Sequence, residues 1–368
     1  MNIRAQSRKQ QPVRTCRRDH QRGLTLVELM VSITLGMLVV LASTALLVSS
    51  KSTYTSSDDD ALVRDTARYA IENITRSVRQ AAFENWDTEI TNTTGLPQAP
   101  IVSMPNMTAN LSGLDANTLT GSSSTAGIGD KSTSNVVNGS DVLAVRFFGV
   151  GTPDSGTVKV TSDSIKKGYG SVIDCAGFAI QQPTSQDTAD ADRGWSIYYV
   201  AKDANGEPEL RCKYRADGAS TWSTVAIARG VESFQVLYGV DTNGDRTPNK
   251  FLTATEIDEL DTHITYTETD TEKKKLEFNR KTNWKKVLVV KIALLVRGAQ
   301  NVQGDTSAIT YNLFGPDYSS ANASNDTGTQ IKIINLDASV RQRVRKVFEA
   351  TIQYRNAAEG SGKTTDIL

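Results

Sequence analysis

The hydrophobic pattern of this chain changes period twice. Residues 24–48 are apolar on every side, with Glu28 as the single charge in 25 positions. Further on, Ala67, Ala70, Ile71, Ile74, Val78 and Ala81 recur mostly at spacings of three and four, which draws one apolar stripe along a helix. Arg64, Arg68, Arg76 and Arg79 fall mostly on its other faces. No proline interrupts residues 24–86, and the serine-rich stretch 49–54 between the two patterns offers no stop signal. Together they predict one helix over residues 24–83. Its 24–48 part is long and apolar enough to span a membrane, and its 49–83 part is amphipathic, suited to lying on a sheet.

Residues 84–140 lose the period. Thr, Asn, Ser and Gly dominate, as in Gly121-Ser122-Ser123-Ser124-Thr125. Such a stretch buries too little apolar area to offset the entropy of ordering it, so a polar surface excursion is expected. After it come short apolar runs and alternations of period two. Residues 142–148 and 287–296 read as buried strands, 195–200 and 209–214 as a hairpin around Asn205-Gly206, and 231–240 as a further strand. Phe348, Ala350, Ile352 and Tyr354 alternate with Glu349, Thr351 and Gln353 as a half-buried strand. The expectation is an α+β chain in which a long N-terminal helix lays its second half on an antiparallel sheet. The β-rich domain is expected over 141–356 and a flexible tail over 357–368.

Charge adds a direction. The chain holds 41 basic and 41 acidic residues. Its first 23 residues carry Arg4, Arg8, Lys9, Arg14, Arg17, Arg18 and Arg22 against Asp19, a net +6 that leaves about −6 for the remainder. Basic residues beside a span stay on the cytoplasmic side, so the bulk of the chain is expected to be exported. In an exported chain, Cys175 and Cys212 favour one disulfide over two free thiols. The only histidines are His20 and His263. That excludes a His-rich zinc site and leaves little room for a Ser-His-Asp arrangement, so no enzyme activity is expected.

The junction of basic leader and apolar run reads Gly23-Leu24-Thr25-Leu26-Val27-Glu28-Leu29. A carboxylate within a spanning helix costs about 2.5–3.5 kcal/mol, so Glu28 needs a partner. This glycine, short apolar step and lone glutamate resemble the class III signal peptide of type IV prepilins. The resemblance implies that a membrane-bound prepilin peptidase cuts after Gly23, removes residues 1–23 and methylates Leu24 as the new N-terminus. The cut would place an α-amino group roughly one helical turn from Glu28. Pairing of Glu28 with the amine of a neighbouring subunit would remove both desolvation penalties and set the stagger of stacked helices. The kinking proline of major pilins is missing, with Ala45 in its neighbourhood, which points away from a major subunit.

Three downstream blocks narrow the resemblance. They are residues 231–245, beginning Val231-Glu232-Ser233-Phe234-Gln235; Trp284 ahead of the strand at 287–297; and the ending over 345–356, beginning Arg345-Lys346-Val347-Phe348-Glu349-Ala350. They look like parts of PilW-type minor pilins. That implies a low-copy structural and priming subunit of a type IV pilus, placed at the filament tip and supporting twitching motility, adhesion or DNA uptake. The implied partners are other minor pilins, the major pilin, the prepilin peptidase and an inner-membrane assembly platform. The implied location is the bacterial inner membrane, with the C-terminal domain periplasmic, and then the pilus. A J-type minor pseudopilin of type II secretion is the alternative. A membrane-tethered module that binds DNA or a surface ligand is the alternative of a different class.

Three smaller features stay open at this level. Asp241, Asn243 and Asp245 present side-chain oxygens at alternate positions, as in half of a calcium loop. Arg246 stands where such a loop needs glycine, and Leu252 where it needs a bidentate glutamate; an Asx turn uses the same residues without metal. No other cofactor is implied. Lys273-Lys274-Lys275, Lys281, Lys285 and Lys286 surround Trp284 and read as a solvated hairpin face, or as a contact for nucleic acid. Residues 341–346 read as surface charge or a subunit contact.

Overall fold

Residues Leu26–Gln80 form one α-helix, α1, in the computed structural model. The model describes residues 25–81, 106–121, 125–149, 172–180, 189–215, 221–304, 306 and 308–354. The leader with Gly23, the adjoining Leu24, the expected helix end at residue 83 and the tail over 357–368 lie outside the described residues. The chain divides into two compact units, Met1–Tyr54 and Thr55–Leu368.

In the first unit every described residue of α1 is exposed. The hydroxyls that interrupt the apolar surface fold back on the helix. Ser32 and Ser43 donate to the carbonyls of Glu28 and Val39, four residues earlier, at 2.7 and 2.8 Å. Thr34 and Thr44 donate three residues back, each at 2.9 Å. These four hydroxyls are thereby satisfied inside the segment, which hydrocarbon requires.

The second unit is built from two antiparallel sheets. The first runs in the order β1 (Leu111–Leu114), β4 (Val142–Phe147), β5 (Gly194–Lys202), β6 (Pro208–Tyr214), β7 (Ser223–Arg229). The second runs β13 (Arg343–Gln353), β10 (Val287–Asn301), β8 (Val231–Val240), β9 (Lys250–Leu252). Asp141 joins them: its backbone amide donates to the Phe234 carbonyl at 2.8 Å, and its carboxylate accepts from Val236 N at 2.9 Å and Ala116 N at 3.0 Å. Val63, Ala67, Ala70, Ile74 and Val78 of α1 belong to one core with residues of both sheets, among them Tyr198, Leu210, Phe234, Val236, Ile292 and Leu294.

The opposite faces of the sheets are also covered. The short β2 (Thr118–Leu119) and β3 (Lys131–Ser132) accompany a cluster of Leu119, Val142, Ile197 and Trp222. A second pair, β11 (Thr310–Asn312) and β12 (Gln330–Lys332), accompanies Leu237, Leu295, Leu313 and Ile331. Burial on both faces explains why β4 and β8 are buried at every position rather than alternating. Among the described residues, four further α-helices belong to the unit: α2 (Ala189–Asp192), α3 (Ala254–Thr262), α4 (Thr271–Lys281) and α5 (Pro316–Asn322).

Two expectations need correction here. The β-rich domain begins before residue 141, because β1 pairs with β4 from Leu111↔Val145 to Leu114↔Val142. Leu111, buried in the core, supplies apolar area that the surrounding Ser and Thr hide in a composition average. Gly113 faces the Tyr238 hydroxyl so closely that a Cβ there would overlap it. The lysine-rich stretch is no hairpin. Asp270 caps α4 by accepting from Glu272 N and Lys273 N at 3.0 and 3.1 Å, and Glu277 pairs with Lys281 one turn later at 2.7 Å.

Candidate functional site

The candidate site is α1, whose two halves face different surroundings. In the first turn, Glu28 N donates to Thr25 Oγ1 at 3.3 Å, which helps to start the helix. The first basic residue after Glu28 is Lys51, about 35 Å along a helix that rises 1.5 Å per residue. No cation further along this segment can therefore neutralise the carboxylate. Leu26, Val27, Leu29, Met30 and Val31 around it are all at least half exposed.

The second half is fixed to the sheets by a line of polar contacts beside its apolar stripe. Asp59 is buried, and its Oδ1 accepts from Ala299 N at 2.9 Å. Asp60 pairs with Arg64 at 3.0 Å and with Lys346 of β13, and these cations hold its carboxyl below the usual value despite partial desolvation. Further along, Tyr198 donates to Asn73 Oδ1 at 2.6 Å and shares a 2.7 Å hydrogen bond with Ser77 Oγ. Burial pushes the Tyr198 phenol above its ordinary range, so it remains a donor. Asn73 Nδ2 donates to the Cys175 carbonyl at 3.2 Å, and Gln80 Nε2 to the Ile173 carbonyl at 3.1 Å.

Those last two contacts hold the turn at 172–180, which a disulfide between Cys175 and Cys212 ties to β6. Within the turn, Asp174 Oδ1 accepts from Ala176 N at 2.8 Å and Phe178 N at 3.0 Å. Burial nevertheless pushes its carboxyl up to about 6.

An ionic network, buried at Glu232, Arg297 and Arg345, links strands of the second sheet to the β5–β6 turn. Glu232 of β8 accepts from Arg297 Nη1 of β10 at 2.7 Å and from Arg345 Nε of β13 at 2.6 Å. Glu207, at the β5–β6 turn, accepts from Arg343 Nη1 at 2.9 Å and also from Arg297. Partial burial raises the Glu207 carboxyl, but Arg343 and Arg297 outweigh it and keep it below the usual value. Residues 341–346 are therefore not simply surface charge: Arg345 is 4% exposed and faces inward.

The remaining sequence candidates separate clearly. Asp241 accepts from Asn243 N at 3.1 Å, Gly244 N at 2.6 Å and Arg246 N at 2.9 Å, which is an Asx-type turn. Asn243 Nδ2 donates to Asp245 Oδ2 at 3.0 Å, so both oxygen-bearing partners are engaged within the loop. Among the described residues no three or more His, Cys, Asp or Glu side chains are grouped so that they could hold a metal ion. Trp284 is not free to stack on a base: it lies edge-on to Tyr238 at 4.8 Å, and its Nε1 donates to Asp258 at 2.8 Å. Burial, with Arg193 nearby, pushes Lys285 down to about 8. His263 forms the exposed C-cap of α3.

Sequence reasoning missed Asp59, Asn73, Glu232 and Arg345 as fixing residues. Helical phase could have found the first two, since each lies next to the Val63–Ile74 stripe. The other two carried no local signal, because their partners lie on other strands.

Against known proteins, two family models match. One, described as Type IV Pilus-assembly protein W, covers residues 197–356, and one described as Prokaryotic N-terminal methylation motif covers residues 18–44. Among solved structures the chain is similar to a type IV-like pilin from Thermus thermophilus, at 11% identity and a TM-score of 0.31 over 80% of this chain and 97% of that one. No curated protein sequence matches.

Proposed function

We propose, from the premise that this is a pilin chain of the PilW type behind an N-terminal methylation motif, that it serves as a structural minor subunit in type IV pilus assembly. In this reading the chain is cut after Gly23, methylated at Leu24 and seated among neighbouring helices through Glu28. The β-rich unit sits outside the membrane and contributes contacts to other minor pilins as assembly is primed at the filament tip. No catalytic step is assigned to it.

One observation carries the reading: a single helix is exposed at every described position up to residue 48, where Glu28 is the one charge in a mostly apolar run, yet stripe-buried from Val63 to Val78. A soluble protein does not expose such a length of apolar surface. A plain anchor has no use for a glutamate in its first apolar turns, where an unpaired carboxylate is costly.

Processing tests it directly. Intact mass of the protein from cells with an active prepilin peptidase should show a chain starting at Leu24 with one added methyl group. Gly23→Glu should leave the full-length, unmethylated chain. A wild-type chain that keeps residues 1–23, or that is cut after the apolar run, would rule the reading out.

A further inference from the structure

The second half of α1 carries another stripe, on the side away from its buried one. Asp58, Leu62, Asp65, Tyr69, Glu72 and Arg76 follow at alternating steps of four and three, and all six are exposed. Leu62 and Tyr69 are each 57% exposed and lie seven residues, about 10 Å, apart. Asp58, Asp65 and Glu72 keep the same seven-residue step. A heptad step drifts only about 20° per repeat on a straight helix, so these side chains form the kind of seam along which a second helix lies.

The seam is electrostatically incomplete. Among the described residues, the ion pairs of this half of α1 are Arg64–Asp60 and Lys346–Asp60, which leave all three seam carboxylates out. Isolated exposed leucines or tyrosines need no explanation. Two in register with three unpaired acids on a heptad step call for a partner that brings both cations and apolar side chains.

We propose that this seam seats a helix of a different filament subunit, one with lysines or arginines spaced to meet Asp58, Asp65 and Glu72 and apolar residues to cover Leu62 and Tyr69. The proposal rests on the filament reading above and gives the neighbouring subunit a chemistry. The like charge of the three acids disfavours an anionic lipid surface. A second copy of the chain fits poorly. Arg64 is held by Asp60, and Arg76 donates to the Asp174 carbonyl at 3.3 Å. The remaining Arg68 and Arg79 are eleven residues, about 16 Å, apart, against about 10 Å between successive acids.

Photocrosslinking in the full-length chain, in cells that build the filament, tests this. p-Benzoylphenylalanine replaces Leu62 or Tyr69, with Arg68 and Glu268 as positions off the seam. Both seam positions should join one other subunit, identified by mass spectrometry as a chain with its own N-terminal methylation motif. The adduct should lie in a helix of that subunit with basic residues at heptad spacing. D65K with E72K should lower the yield at least tenfold without changing the melting temperature, and exchanging the partner's cations for glutamate should restore it.

Adducts are read in solubilised membranes as well as in sheared filaments. A chain missing from filaments but joined to such a subunit in membranes keeps the seam and sinks the filament reading. A chain present in filaments whose seam positions join nothing, only lipid or only a second copy overturns the proposal, as does a yield indifferent to charge reversal.

Discussion

Asp59 of α1 sits where Gly298 of β10 leaves room for it: a Cβ on residue 298 would overlap the Asp59 carboxylate. The same carboxylate accepts from Ala299 N at 2.9 Å. The contact requires an acid on the helix and a glycine on the strand together, so it fixes both the height and the rotation of the helix on the sheets. Gly298→Ala should cost about 1–3 kcal/mol by overpacking. Combined with Asp59→Ala, which removes the clashing group, the cost should fall short of the sum of the single variants by about 0.5 kcal/mol or more. Chemical denaturation of the four chains measures this; strict additivity would show that the two residues act separately.

Glu232 is shared by two inward-facing arginines, Arg297 and Arg345. Glu232→Ala leaves the buried Arg345 with no carboxylate and Arg297 with Glu207 alone, and should lower stability by about 3–5 kcal/mol. Replacing Glu232, Arg297 and Arg345 together by Met, Leu and Met should cost less than Glu232→Ala alone, since no charge is then left unpaired. Melting curves of the two chains would decide it, and a triple variant less stable than the single one would contradict the account.

The Cys175–Cys212 bond holds the turn that receives Asn73 and Gln80 of α1. Closing its loop of nearly 40 residues is worth about 3–4 kcal/mol in the chain-entropy model. The double variant Cys175→Ala, Cys212→Ala should lose about that much, and wild type in dithiothreitol should melt at the variant's lower temperature. A melting temperature indifferent to reductant would show that the bond contributes little.

Asp174 gives a pH signature of definite sign. Its folded value of about 6 lies above the unfolded value of about 3.9. The folded state therefore holds the extra proton between those values, and stability from this group falls as pH rises from about 4 to 6 and then levels. Asp174→Asn keeps an oxygen for the Ala176 and Phe178 amides and removes the titration. The difference in melting temperature, variant minus wild type, should rise by a few degrees between pH 4 and 7. A flat or falling difference would reject burial as the dominant influence on this carboxyl.

Much of this was legible in the sequence where the interactions are local. The helix could be read from its 3.6-residue period because Val63 to Val78 all meet one core, and the Asn205-Gly206 hairpin because Gly206 takes the positive φ that such a turn needs. The strand 231–240 was legible as a run because both of its faces are covered. Leu111–Leu114 stayed hidden because one buried leucine cannot lift the average of a Ser/Thr-rich segment, and α4 because its capping Asp270 sits in a charge-rich run that also suits a turn. The site divides in the same way. Glu28 stands out by being the one charge in an apolar run, whereas Asp59–Gly298 and Glu232–Arg345 join residues more than 100 positions apart.

The central claim is that Glu28 acts as an assembly contact rather than a tolerated charge in an anchor. The amount of protein in sheared filaments, compared between wild type and Glu28→Ala at equal membrane levels, tests it most directly. Glu28→Ala should be processed normally and melt like wild type, yet fall at least tenfold in the filament fraction. Incorporation of Glu28→Ala at the wild-type level would contradict the account.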